Sequence, residues 1–235
     1  MRIALIGYGK MGKIIERVAL DRGHEIVAKA DLQGDPIEKI KGADVAIEFT
    51  QPEAAPLNIR KCIDLGVPVV VGTTGWYDQK AALQHHCEQN NGTLFYASNF
   101  SLGVNVFFKI NEKLAQMMAP QENYHVHIEE THHTQKKDSP SGTAITLAEG
   151  ILKFFKRKKA WVNSETSDPD QLVIKSFRVD PAPGTHAIKY TSAIDDIEIK
   201  HTAHSREGFA LGAVLVAEWI KDRKGVLTMA DFLPF

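Results

Sequence analysis

The chain has 235 residues, 43% of them hydrophobic and 24% charged, with a formal net charge of −1. That length can bury a sizeable core in one large or two modest domains, and the balanced charge gives no reason to expect nucleic acid or another polyanionic partner. The two cysteines, Cys62 and Cys87, lack metal-ligand spacing and read as reduced thiols; no apolar run reaches membrane-spanning length, and a strand-like run directly after Met1 leaves no room for a signal peptide, so a cytoplasmic protein is expected.

Residues 2–6 form a short apolar run, the first expected strand, which breaks into Gly7-Tyr8-Gly9-Lys10-Met11-Gly12. A helix follows, with Ile14, Ile15, Val18 and Ala19 on one face and Gly23 at its stop. Residues 25–30 read as a second strand ending at Asp31, and residues 44–50 as a third. Pro52 stands where a first-turn helix proline belongs, and Gly66 closes that helix. Residues 67–71 make a fourth strand running into Gly72-Thr73-Thr74-Gly75; a polar helix through Gln89 then leads to a fifth strand at 93–97. Strands alternating with helices imply a doubly wound parallel sheet with right-handed crossovers.

On such a sheet, ligands bind beyond the C-terminal strand ends. Residues 7–12, 72–75 and 97–100 all fall there. A G-x-G-x-x-G pattern alone is weak, but this one follows a strand, opens a helix and has a carboxylate, Asp31, nineteen positions after Gly12. Those are the features of a Rossmann dinucleotide site: glycines for the turn and for close approach of pyrophosphate, an acid for the ribose. Asp31 opposes a 2′-phosphate, and only Leu32 and Gln33 follow it, with Lys29 nearby. NADH is therefore weakly favoured over NADPH.

After residues 99–105 a helix is expected to about Met118. Residues 124–129 alternate, with Tyr124, Val126 and Ile128 facing one way and His125, His127 and Glu129 the other, as in a strand with one polar face. A helix with Ala144, Leu147, Ala148, Ile151, Leu152 and Phe155 at helical spacing follows. Lys153, Lys156, Arg157, Lys158 and Lys159 read as its solvated, dipole-complementing end. Strands are expected around 173–179, 185–192 and 196–203, then a last apolar helix over 209–221. The expected fold is an α/β dinucleotide-binding domain over 1–101 plus 208–235, and an α+β second domain with a mixed or antiparallel sheet over 102–207.

Between these domains' landmarks lies the densest chemistry of the chain, residues 130–143. Two adjacent imidazoles, His132 and His133, precede Lys136 and the turn Ser141-Gly142-Thr143 that opens a helix. Imidazole exchanges protons near neutral pH, lysine supplies a cation, and a helix start offers N–H groups to a carboxylate. Four of the ten histidines fall within 125–133. Because His125 and His127 sit on a different segment from His132 and His133, with no cysteine nearby, no metal site is read from them. The pattern suits a small acidic substrate. Residues alone leave open another two-domain dehydrogenase of an amino acid or its semialdehyde, and a non-catalytic NADH-sensing module.

The His-His-x-x-Lys-x-Asp-x-Pro-Ser-Gly-Thr-Ala stretch at 132–144 resembles the signature of the 4-hydroxy-tetrahydrodipicolinate (dihydrodipicolinate) reductase family. Agreement continues at 7–12, at Glu-Phe-Thr-x-Pro-Glu in 48–53, at 72–75, at Ala-Ser-Asn-Phe-Ser-Leu-Gly-Val-Asn in 97–105, at Pro-Gly-Thr-His in 183–186 and at Ser-Arg-x-x-Phe-Ala-x-Gly-Ala in 205–213. The resemblance implies NAD(P)H-dependent reduction of 4-hydroxy-tetrahydrodipicolinate to tetrahydrodipicolinate with loss of water, in the diaminopimelate route to lysine. It implies His132 as general acid and Lys136 as second catalytic group. It implies His133, Ser141, Gly142 and Thr143 as contacts of a dicarboxylate substrate, and Gly72, Thr73, Thr74, Ser98, Asn99 and Phe100, with residues 7–12, as cofactor contacts. It further implies a homotetramer. The chain departs from the family in a glycine loop one residue shorter than in many members, in Ser98 where proline is usual, and in shorter loops between Val162 and His201.

Overall fold

The computed structural model describes residues 1–234 and divides into two compact units, residues 1–102 with those from 206 onward, and residues 103–205. The first begins with β1 (Arg2–Ile6), α1 (Lys10–Asp21), β2 (Glu25–Ala30), β3 (Val45–Glu48), α2 (Ala55–Asp64), β4 (Val69–Val71), α3 (Lys80–Gln89) and β5 (Thr93–Tyr96). The second contains most of α4 (Leu102–Met118), then β6 (His125–His132), α5 (Gly142–Leu152), β7 (Ala160–Val162), β8 (Gln171–Arg178), β9 (Gly184–Thr191) and β10 (Asp196–Ala203). The chain returns to the first unit with α6 (Glu207–Ile220), β11 (Gly225–Leu227) and α7 (Met229–Phe232).

The first sheet runs β11-β5-β4-β3-β1-β2, with every recorded pairing parallel. Its inner strands β1, β3, β4 and β5 are buried on both faces, which is why they read as continuous apolar runs rather than alternating ones. Ile3 and Leu5 of β1 point into a cluster with Ile15 and Ala19 of α1 and Ala213, Val214 and Ala217 of α6. Ala4 and Ile6, of opposite parity, pack with Ile59 and Cys62 of α2 and Leu83 and Cys87 of α3. Gly23 and Gly66, both at positive φ, end the first two helices as expected.

The second sheet is mixed, in the order β10-β9-β6-β8-β7; β6 pairs antiparallel with β9 and parallel with β8. One face is covered by α4 and α5, with Phe107, Ala115, Leu147 and Ile151 packed on Val126, Ile128, Leu172, Ile174, Ile188 and Tyr190. Asn111 ties the two helices by donating to the Leu147 carbonyl at 2.9 Å.

Several boundaries differ from the sequence reading. The second helix starts at Ala55, with Pro56 rather than Pro52 in its first turn. Strand β6 runs to His132, because Glu130 and His132 continue the buried parity of Val126 and Ile128. The basic run lies beyond α5, which ends at Leu152. Arg157 instead donates to the Ala119, Gln121 and Tyr124 carbonyls, and Lys158 to those of Pro169 and Gln171. Those cations fasten loops rather than complement a helix dipole. Strands β7 and β11 were not legible: three residues each carry too little periodicity.

Candidate active site

In the first unit the site grows from the end of β1. Gly7 takes φ +90° and donates its N–H to the Ala30 carbonyl at 2.8 Å. A Cβ on Gly7 would strike the Phe49 carbonyl, and one on Gly12 the Gly7 carbonyl, whereas Gly9 faces open space. Gly9 precedes α1 without a side-chain cap, leaving the first N–H groups of the helix for an anion. Two clefts meet here. One, of about 440 Å³, reaches from Gly7 and Gly9 to Asp31 and Leu32; the other, of about 500 Å³, reaches from Gly9, Lys10 and Met11 to Gly72, Thr73 and Thr74. They share Gly9, Phe49, Thr50 and Gln51. Because β2 and β3 flank β1 on opposite sides, this is the topological switch point of the sheet. Two adjoining clefts around an uncapped helix start fit two nucleotides joined at a pyrophosphate.

Asp31 is oriented by N–H donors of Tyr8 and Leu32, at 3.1 and 2.8 Å. Lys29 is committed elsewhere: its Nζ lies 2.5 Å from Glu16 and 3.2 Å from the Tyr8 hydroxyl, which itself donates to Glu16. The loops after β3 and β4 are bound together where Thr50 N–H donates to Thr73 Oγ1 at 2.7 Å. Beneath them the fully buried Glu48 accepts from Thr50 and Asn58, and burial pushes its carboxyl above the usual range. Thr74, Lys10 and Ser98 are exposed, and Asn99 is half-buried. Asn99 Oδ1 accepts from Ser101 N–H at 2.9 Å. Phe100 is only 2% exposed, its ring packed on Phe49 and Phe95, so its side chain belongs to the core rather than to a cofactor surface.

In the second unit the register of β6 assembles a buried cluster. Glu130 stands opposite His186 of β9 and Ser176 of β8, and His132 opposite Arg178. Glu130 is fully buried and accepts from Ser141 N–H at 3.1 and 3.2 Å, from Ser176 Oγ at 2.7 Å and from Arg178 Nη2 at 3.3 Å. Burial pushes its carboxyl up, but hydrogen bonds from His132, Ser141 and Ser176 outweigh this and hold it well below the usual carboxylate range. His132 Nδ1 lies 3.3 Å from Glu130 Oε2, and its ring meets His186 edge-on at 5.1 Å. Burial, with the neighbouring His132, lowers His186 to about 4, so it is neutral at neutral pH.

Ser141 is the N-cap of α5; its Oγ accepts from Ala144 N–H at 3.2 Å and lies 3.1 Å from His186 Nε2. Its polar groups are thus engaged internally, while the N–H groups of Gly142 and Thr143 keep no backbone acceptor among the described residues. A Cβ on Gly142 would meet nothing within 4 Å. Lys136 Nζ sits 2.8 and 2.9 Å from the Asp138 carboxylate. His133 donates its N–H to the Ala182 carbonyl at 2.8 Å and accepts from Lys136 N–H at 3.1 Å.

Glu130, Ser176, Arg178 and His186 were not singled out from sequence. A carboxylate on the buried parity of a strand was the available signal for Glu130; His186 and Arg178 needed the strand register. Glu130, His132 and His186 present ligand atoms within 4.8 Å of one another, a grouping that the histidine spacing had not suggested. Arg178 already supplies a cation to that carboxylate, which argues against a metal there.

A dinucleotide cleft at a sheet switch point and, in a separate unit, a buried acid–base cluster beside an open helix start define a two-domain nicotinamide-dependent oxidoreductase. Residues 1–100 match the family described as dihydrodipicolinate reductase, N-terminus, and residues 103–233 its C-terminus. The chain belongs to the dihydrodipicolinate reductase family, whose members use NADH or NADPH. It is 51% identical to a 4-hydroxy-tetrahydrodipicolinate reductase of Christiangramia forsetii, covering 99% of this chain and 98% of that protein. It is 37% identical to one from Archaeoglobus fulgidus, over 99% and 100%. A solved dihydrodipicolinate reductase of Paenisporosarcina sp. TG-14, bound to dipicolinate, shares the fold with TM-score 0.78 at 22% identity, over 99% of each chain. An amine dehydrogenase from Mycobacterium smegmatis shares it more distantly, with TM-score 0.61 and 11% identity over 97% and 94%.

Proposed function

We propose that this chain reduces 4-hydroxy-tetrahydrodipicolinate to tetrahydrodipicolinate with loss of water, in the diaminopimelate route to lysine, with His132 as the acid. When bound, NADH or NADPH supplies the hydride. His132 gives the substrate its proton, and Lys136, released from Asp138, steadies the negative charge that develops as hydride arrives. One carboxylate of the substrate takes the N–H groups of Gly142 and Thr143, and His133 approaches the other. Ser141 supports the helix start from behind. The observation that carries this reading is the open N-terminus of α5 directly following the segment that buries His132 against Glu130.

Asp31 accepts the ribose hydroxyls, and the commitment of Lys29 to Glu16 supports NADH as the weakly preferred cofactor. The sheet face opposite the helices, with Glu129, Lys189 and the exposed Phe177, offers the surface for a homotetramer. Two buried free thiols, Cys62 and Cys87, suit the reducing cytoplasm.

Gly142→Pro tests the carboxylate site. Proline removes one donor but suits the first helical position, and Ser141, at φ −67° and ψ 154°, already has the backbone favoured before proline. Dipicolinate, a rigid dicarboxylate, is expected to bind about 10-fold more weakly to the variant, the cost of one lost bond to a charged group. Unchanged affinity by calorimetry would remove the helix start from the substrate site.

A further inference from the structure

The geometry points to Glu130 as the positioning residue of the acid, holding a proton on His132 Nδ1 so that Nε2 is the edge that exchanges a proton with substrate. This rests on the assignment of His132 made above.

Glu130 is held by three residues from two elements: Ser141 N–H at the start of α5, and Ser176 and Arg178 of β8. It cannot follow a moving ring. Its Oε2 is the acceptor nearest His132 Nδ1, 3.3 Å away, and that buried ring nitrogen makes no hydrogen bond to any described residue in this geometry. A bare Nδ1 there would set two acceptors against each other in a buried pocket, whereas a protonated Nδ1 satisfies both. The second histidine does not compete for this role. His186 Nε2 is farther from Glu130 Oε2, at 3.7 Å, and closer to Ser141 Oγ.

The opposite edge of the ring is cleared by a glycine. A Cβ on Gly184 would come within 3.1 Å of His132 Nε2. Backbone therefore borders Nε2 without a side chain to cover it. One nitrogen is thus fixed by an immobile carboxylate and the other is left for chemistry.

Two measurements test this. Long-range ¹H–¹⁵N spectra of the wild type, with His132 assigned by its loss in His132→Gln, should show the neutral ring protonated on Nδ1 and bare on Nε2. The reverse tautomer would overturn the inference, and this experiment decides it alone if the variant below does not fold. In Glu130→Gln, kcat should fall roughly 10- to 100-fold, the range for loss of a residue that orients a catalytic imidazole. KM for NADH should stay within about twofold and the solvent deuterium isotope effect on kcat should rise, since proton delivery becomes limiting; Glu130→Asp should recover part of the rate. Wild-type kcat and isotope effect in Glu130→Gln, with His132→Gln inactive, would overturn the role of Glu130 while leaving the acid in place. If His132→Gln itself turns over normally, the acid assignment has failed and the inference falls with it.

Discussion

Gly212 of α6 lies against the carbonyl of Phe100: a Cβ on the glycine would occupy the position of that oxygen. The returning helix is thereby seated on the segment that leaves β5, and the ring of Phe100 is driven into the core beside Phe49 and Phe95. Phe49 in turn fills the space beside Gly72, whose own Cβ would run into its ring. Packing from the end of the chain thus reaches the floor of the cleft lined by Gly72, Thr73 and Thr74.

Gly212→Ala should therefore destabilise the first unit by about 1–3 kcal/mol, because backbone meets backbone and neither can move aside as a side chain would. Thermal unfolding should begin roughly 2–8 °C lower. An unchanged transition would show that α6 is not seated as closely as described.

Replacing His132 by Gln should lower kcat by about 10²- to 10⁴-fold, the usual contribution of a positioned acid. NADH binding, followed by fluorescence, should not change, since the cofactor cleft is built from residues of the other unit. A variant that loses NADH affinity along with turnover would point to a structural role instead.

Acid should weaken the second unit in two stages. His186 has its folded value lowered to about 4 from an ordinary 6.5, so its contribution is complete above pH 6.5 and is lost as pH falls towards 4. Glu130 is also depressed, and its contribution is present above the ordinary 4.5 and lost below it. Denaturant unfolding of this unit should show stability falling between pH 6.5 and 4 by on the order of 3 kcal/mol from His186. In His186→Gln most of that first loss should disappear, leaving the smaller part from the half-buried His201, while the loss below pH 4.5 remains. A wild-type profile flat from pH 7 to 4 would contradict the buried neutral imidazole.

Asp31→Ser removes the charge that opposes a 2′-phosphate while keeping a hydroxyl near the Tyr8 and Leu32 donors. The ratio of kcat/KM for NADPH to that for NADH should rise by roughly tenfold, equivalent to about 1.4 kcal/mol. If the ratio stays fixed, the ribose end is read by other residues.

Much of this was legible before any coordinates, and the reasons differ by region. Strands β1 and β2 and the glycine turn at 7–12 carry their own local signals: apolar runs, helix stops and a spaced carboxylate. The His132–Thr143 segment was legible because its residue types are unusual together. Glu130 escaped notice because its importance comes from strand register, which brings Ser176 and His186 beside it from 46 and 56 positions downstream. The burial of the Phe100 side chain was not legible, because it depends on α6, more than a hundred residues later. Pro52 misled for a simpler reason. Two prolines stand four apart, and it is Pro56 that falls in the first turn of the helix, which starts at Ala55.

Substrate generated in situ from pyruvate and aspartate semialdehyde by the preceding synthase, with NADH absorbance followed at once and then with NADPH, tests the central claim most directly. Rapid loss of absorbance that depends on both precursors, with NADH somewhat favoured, is the predicted result. Tight NADH binding with no substrate-dependent oxidation of either cofactor would contradict it, leaving the dinucleotide cleft intact and removing the reaction assigned to His132.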